Sequence, residues 1–477
     1  MGLAAVVSLE KFQQGRLQTD LRIKMHQALD RWLDDLENEM KEPQPKLEQI
    51  TQAVFQARQN LTQTITQGLI ECRYQEEQER EFYQCLECRK VLTARDRPAR
   101  TVETMVGQIN LKRPYFYCVS CQQGFYPLDD ALDLSSRRKQ ADLQQAIVKL
   151  TKEVPYETAC ELLEDLTGLS VSVNTAHEIT GEIAHGLDVL DVCPSREEIL
   201  TKIEEAQADK SWRPILVIAA DGADMPTRPE SARQGRTGRK KVRAKRAHWR
   251  GEWKEAKGFR CYLVLPDRIE HLISWHQIQD YEQLCLALQK VKEAGLIPEE
   301  RVRLCVLADG AHWIWNHLKT LFPTAKEILD YYHCSEYIHA IANTHYAERP
   351  ELALEWVEAT MARLFCGEVE RVIWGLQRMQ PRDEQAAKEI ARTIVYLENN
   401  KSRINYRAAR KGGYPIGSGG IESANKFICH VRLKRSGAWW YIHKGNQMLA
   451  LRCAKYNGTF DRVCERSQQL NSMACKK

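Results

Sequence analysis

No stretch of the 477-residue chain approaches the roughly 18 consecutive apolar residues that a helix needs to cross a bilayer, so a membrane-spanning reading is excluded. No segment repeats with a period of about 20 to 50 residues, and no low-complexity tract is long enough to matter. The opening segment MGLAAVVSLEKFQQ is too short and too weakly apolar for a signal peptide, and position 6 lacks the Ser or Thr of a Met-Gly acylation signal. Closely paired cysteines are also few. Of sixteen, only Cys85/Cys88 and Cys118/Cys121 are close pairs, which argues against a disulfide scaffold and for reduced, buried thiols elsewhere. The expectation is a cytoplasmic, nucleoid-associated protein.

What is present is ordinary in bulk, with 43% hydrophobic and 28% charged residues, and a length that suggests several domains. The net charge of +5 is mild, but its distribution is uneven: residues 231–250 hold nine Lys or Arg and no acid. A basic stretch in a weakly basic chain suits a polyanion gripped in one place. Arg239, Lys240, Lys241, Arg243, Lys245 and Arg246 are its candidate phosphate contacts, the alternative being a solvated loop.

Apolar residues recur three and four apart over 16–40 and 47–82, on either side of Pro43 and Pro45, predicting two long helices. Their stripes (Leu17, Leu21, Met25, Leu29, Leu33, then Ile50, Phe55, Leu61, Ile65, Ile70) pack on the chain itself or on a second copy. Residues 83–134 change to short β-rich pieces around the cysteine pairs. Two CxxC knuckles separated by 29 residues are the spacing of a zinc ribbon, with Cys85, Cys88, Cys118 and Cys121 as ligands of one structural zinc. Residues 135–200 return to helix, with a candidate helix-turn-helix whose turn is LTGLSVS and whose reading helix would present His177 and Glu178 to a groove; generic helical packing explains the pattern as well.

From residue 201 the pattern becomes α/β. PILVIAA, FRCYLVLP, IEHLISW and VRLCVLA read as strands and YEQLCLALQKVKEAG as a helix between them, followed by an all-α stretch over 341–405, a segment completing the core over 406–455, and a tail over 456–477. Asp221 follows ILVIAA and Asp309 follows LCVLA, each before a Gly that would turn the backbone and leave the carboxylate at a strand end. Glu422 falls in the first turn of a helix that Ser418 or a neighbouring glycine can cap, where the helix dipole favours its charge. Three such acids could hold two magnesium or manganese ions for phosphoryl transfer. Lys426, Arg432, Lys434 and Arg435 beside Trp439 and Trp440 add candidate DNA contacts, and Trp313 after Asp309 has the same choice between stacking and core packing.

These residues resemble a known family. AADGAD at 219–224, LADGAHWIW at 307–315, EILDYYHCSEYI at 327–338, IGSGGIESANK and RLKRSGAWW within 416–440, NQMLALR at 446–452 and the cysteine module are similar to insertion-sequence transposases of the ISKra type, within the RNase H-like DDE group and distantly Mutator-like. The resemblance implies a multidomain α/β protein with an RNase H-like core interrupted by an all-α insertion. It also implies DDE roles for Asp221, Asp309 and Glu422, with Asp330 the acid to consider if Asp309 were wrong. The implied partner is double-stranded DNA, both element ends and target, bound by a homo-oligomer. The long basic insertion after Asp224 departs from the family pattern. Two other readings remain: an RNase H-like nuclease that cuts without joining, and a noncatalytic zinc-containing DNA-binding regulator.

Overall fold

The computed structural model describes residues 19–40, 43–207, 213–230, 250–310 and 312–475, which form two compact units, one built from the N-terminal portion to Glu182 together with the residues from Cys464 on, and one from Ile183 to Val463. Among the described residues, no helix is long and apolar enough to cross a membrane.

The first unit opens with α1 (Thr19–Glu39) and α2 (Leu47–Arg73), which pack together through a hydrogen bond from Trp32 Nε1 to the Ala57 carbonyl at 2.9 Å. The buried line on α1 is Leu21, Ala28 and Leu36, while Leu29 and Leu33 of the expected stripe are exposed. Leu17 lies outside the described residues. Three small antiparallel pairs follow: β1 (Phe82–Gln84) with β2 (Val91–Thr93), β3 (Ala99–Thr104) with β4 (Gly107–Lys112), and β5 (Phe116–Cys118) with β6 (Gln123–Phe125). Strand β4 alternates buried Gly107, Ile109 and Leu111 with exposed Gln108, Asn110 and Lys112, the period of two expected of a half-buried strand. Its buried face joins Val102 and Leu128 in a small core closed by Ile70 and Tyr74. Then come α3 (Ala141–Thr151), α4 (Tyr156–Thr167) and α5 (Val173–Ile183). Gly168, at φ 76°, ends α4 in the left-handed conformation that a residue without Cβ adopts cheaply. Thr151 and Thr180 share a buried hydroxyl hydrogen bond of 2.9 Å between α3 and α5.

After α6 (Arg196–Gln207), the second unit is organised by a five-stranded sheet of β7 (Ile215–Thr227), β8 (Glu252–Val264), β9 (Ile269–Ile278), β10 (Arg303–Ala308) and β11 (Lys326–Leu329), in the order β11-β10-β7-β8-β9. The three β7, β8 and β9 neighbours are antiparallel, whereas β10 and β11 run parallel to β7, linked through α7 (Tyr281–Glu293) and α8 (His312–Leu321). Parallel neighbours need such crossovers, and the apolar runs of β7 and β10 are buried because elements cover both faces. The chain is then helical through α9 (Tyr331–His345), α10 (Pro350–Phe365), α11 (Val369–Arg378), α12 (Glu384–Asn399) and α13 (Tyr406–Lys411). It returns to the sheet with α14 (Gly419–Ala424), which runs on through a π-helical stretch, Asn425–His430, to Leu433; α15 (Ile442–Tyr456) follows, and then α16 (Phe460–Cys475), which from Cys464 on is counted with the first unit.

One expectation is corrected. Asp221-Gly222 does not end β7: the strand continues through it to Thr227, with Asp221 opposite Gly258 of β8. Gly222 makes no turn here; it leaves room for the exposed Glu255 side chain of β8, whose Oε1 lies 1.8 Å from where a Cβ would stand. Asp309-Gly310 does end β10 as expected.

Candidate functional site

Register brings the acids together. Ala308 of β10 pairs with Ala220 of β7 on one side and Leu329 of β11 on the other, so the next residues, Asp221, Asp309 and Asp330, stand in one row across three adjacent strands. Only two of these carboxylates enter the site. Asp330 is fully buried; its Oδ1 accepts from the backbone N–H of Tyr332 at 2.9 Å, capping α9, and from that of Ser418 at 3.3 Å. With Tyr331 N–H donating to the Ile416 carbonyl at 2.8 Å, Asp330 ties the loop before α14 to the end of β11. Its place beside the other acids is taken by His333, one turn into α9. Ligand atoms of Asp221, Asp309 and His333 lie within 4.8 Å of one another.

Asp221 is held from both sides. Its Oδ1 accepts from the Gly222 N–H at 2.7 Å and its Oδ2 from the Asn425 amide at 2.7 Å. Burial pushes its carboxyl up to about 6, the negative charges of Asp309 and Glu422 add to that, and the Gly222 N–H and His333 oppose it. Asn425 is itself buried, on the π-helical stretch, beside the fully buried His276, whose imidazole is pushed down to about 4 by loss of solvent. π-helical turns inside α-helices recur at functional sites because the extra residue per turn re-aims a side chain.

Glu422 lies outside the 4.8 Å group, on the exposed side of α14, but close enough for its charge to act on Asp221. Ser418 stands at the N-cap of α14 as expected. Its hydroxyl bonds the Glu422 carboxylate instead of a backbone N–H, so the cap residue orients the acid. The glycines of this loop allow close approach: a Cβ on Gly417 would meet Tyr332 at 2.7 Å, and one on Gly420 would meet Tyr262 at 2.8 Å. His333 and Asn425 are the site residues that reading the sequence did not single out. Both lie inside quoted motifs, EILDYYHC and ESANK, where only the acids had been weighed.

The second cluster is made of thiols. Cys85, Cys88, Cys118 and Cys121 gather at the ends of the β1–β2 and β5–β6 pairs, with Sγ separations of 3.8 Å for Cys85–Cys121 and 3.5 Å for Cys88–Cys118. Arg89 and Gln122, each directly after the second cysteine of its pair, share a left-handed backbone at φ 60° and 55°, so the two knuckles are built alike. Four sulfurs about 2.3 Å from one tetrahedral ion would be spaced by roughly these distances.

Of the expected DNA contacts, Arg239, Lys240, Lys241, Arg243, Lys245 and Arg246 lie outside the described residues, as does the side chain of Trp313. Lys426 is exposed on the helix that carries Glu422, and Lys434 and Arg435 are exposed just beyond its end at Leu433. Arg432 is not presented to solvent: it is buried, with its guanidinium 5.1 Å from the Trp440 ring. Trp440 Nε1 donates to the Leu433 carbonyl at 3.0 Å, a packing role, while Trp439 lies edge-on to the exposed Trp253 at 6.2 Å. On α5, His177 packs on Tyr156 at 5.0 Å and Glu178 faces Arg137 at 3.5 Å.

Comparison with known proteins identifies the family. The chain belongs to UPF0236, an uncharacterised protein family whose model matches residues 40–469. It is also similar to a protein described as "UPF0236 protein in vanSb 3'region" from Streptococcus gallolyticus, with 22% identity over 369 residues, covering 76% of this chain and 74% of the relative.

Proposed function

We propose that this member of UPF0236 is a DNA transposase, a metal-dependent phosphoryl-transfer enzyme with Asp221, Asp309 and Glu422 as its acids. The observation that carries the reading is the meeting of Asp221 and Asp309, 88 positions apart in sequence, beside His333 within 4.8 Å. Support also comes from the sheet, whose antiparallel β7, β8 and β9 flanked by parallel β10 and β11 follow the order that an RNase H-like core would have. The return of the chain through a helical stretch to an acid-bearing helix fits the same scheme.

The donors suit hard divalent cations: two carboxylates and an imidazole, with Glu422 at the margin, match magnesium or manganese. Two such ions, when bound, would lower the barrier to deprotonating an attacking oxygen and neutralise the leaving oxygen. The chain's own residues supply the positioning. Asn425 and Gly222 fix the two oxygens of Asp221, Asp330 fixes the loop, and Ser418 fixes Glu422. Lys426, Lys434 and Arg435 offer phosphate contacts alongside. The four cysteines would hold one structural zinc, and double-stranded DNA, bound by a homo-oligomer, is the partner.

Purified protein incubated with labelled element ends, magnesium or manganese and a target plasmid should yield joined strands, and Asp221→Asn should abolish them. Cleaved but never joined ends would replace this reading with the nuclease. A biological effect that survives Asp221→Asn unchanged would replace it with the noncatalytic regulator.

A further inference from the structure

The helical stretch also carries a cavity. Between α10 and α11 lies a cavity of about 450 Å³ whose walls include Tyr346, Trp356 and Trp374 together with Arg363, Arg371 and Arg378, and no Asp or Glu. The spacing is what two facing helices need. On α11 the walls take Arg371, Trp374 and Arg378, three and four apart, together with the buried Val372 and Leu376. Trp356, Thr360 and Arg363 recur four and three apart on α10.

The side chains are arranged for a ligand that is both flat and anionic. Trp374 is 56% exposed, with the Arg378 guanidinium 3.7 Å from its ring centroid, and Trp356 lies 5.9 Å from Tyr346. Arg371 is matched by Glu368 at 3.1 Å, but Arg363 and Arg378 have no carboxylate partner among the described residues. At Gly375 the wall is open, with nothing within 4 Å of where a Cβ would stand. Free phosphate would have no use for two indoles, and an apolar ligand none for unpaired guanidiniums. In a duplex the bases are stacked inside and cannot reach an indole face, whereas an unpaired nucleotide offers a π-face and a phosphate at once. A cavity of this size lies within the range of small-molecule sites.

We propose that this cavity binds one unpaired nucleotide, its base against Trp374 and Trp356 and its phosphate against Arg363 and Arg378. The proposal extends the DNA reading above, and its test runs without catalysis. Full-length Asp221→Asn protein, free of magnesium, is mixed with a single-stranded oligonucleotide carrying 5-iododeoxyuridine, irradiated, and digested for mass spectrometry. The crosslink should map to Trp374 or Trp356. It should fall about tenfold or more in Arg378→Gln and in Gly375→Leu, which fills the opening without changing charge, with neither variant melting below the parent protein. A fully paired duplex of the same sequence should leave both tryptophans unmodified. Displacement by millimolar deoxynucleoside monophosphate would identify free nucleotides as occupants, and displacement by oligonucleotide alone would identify a strand. Crosslinks confined to other segments, or a yield unchanged in both variants, would overturn the proposal. A tryptophan crosslink in a protein that never cleaves DNA would leave this site standing while the phosphoryl-transfer reading falls.

Discussion

Asp221 is an acid kept away from its ordinary ionisation. A carboxyl raised to about 6 from 3.8 means that the folded chain holds a proton that the unfolded chain releases, so between those two pH values stability falls as pH rises. The cost is fully present above about 6 and absent below about 4. Asp221→Asn should therefore raise the unfolding free energy at pH 8 by about 1–3 kcal/mol, and by almost nothing at pH 3.5, in paired denaturant titrations. A gain of equal size at both pH values would mean that charge is not the cause. A cation bound there would favour the carboxylate, so adding manganese should move the Asp221 titration to lower pH.

Asn425 acts through Asp221. Its amide is 2.7 Å from Oδ2, and its burial leaves it few other arrangements. Groups that orient a metal-holding carboxylate typically matter by about 10–100-fold in metal affinity or activity. Asn425→Ala should shift the magnesium concentration for half-maximal cleavage upward by that order, with less effect at saturating metal. An unchanged magnesium dependence would assign Asn425 to packing alone.

At the scale of elements, β9 is the edge strand of the five-stranded sheet, and two side-chain amides cover it, Asn446 on α15 and Asn457 at its C-terminal cap. Asn446 Oδ1 accepts from Ile278 N–H at 2.7 Å while its Nδ2 donates to the Ile278 carbonyl at 3.2 Å; Asn457 does the same at Ser274, at 2.8 and 3.0 Å. Each amide mimics a neighbouring strand and hides backbone groups that would otherwise invite another chain. Asn446→Ala leaves both Ile278 groups unmatched and should cost about 1–3 kcal/mol by denaturant melting, with a greater tendency to aggregate. The elements most legible in the sequence were these strands, because continuous runs such as ILVIAA and RLCVLA have few other uses. The meeting of Asp221 and Asp309 was legible too, since each follows such a run. Less legible was whatever depended on side chains from elsewhere. Gly222 looked like a turn because Glu255, which claims its space, sits 33 positions away. Asp330 looked like a spare catalytic acid because its bond to the Ser418 N–H crosses 88 positions.

Across the whole molecule, two donor sets of opposite character sit in different compact units: four thiols at Cys85, Cys88, Cys118 and Cys121, and an oxygen and nitrogen set at Asp221, Asp309 and His333. Four thiolates favour zinc over magnesium or manganese, whereas the carboxylate and imidazole set suits magnesium or manganese and would also accept zinc. The strands that carry the thiols are only three residues long, β1 with β2 and β5 with β6, and pairs so short have little stability of their own. Zinc would then contribute folding energy to this module directly. Purified protein should contain one zinc per chain, and Cys88→Ser with Cys118→Ser should remove it and make residues 82–125 exchange amide hydrogens rapidly. Manganese binding at the carboxylates, followed by its paramagnetic relaxation signal, should persist in that double variant and disappear in Asp221→Asn. Zinc content that survives loss of both cysteines would separate the thiol cluster from metal binding, and manganese lost together with zinc would show that the two units' metal chemistries are not independent.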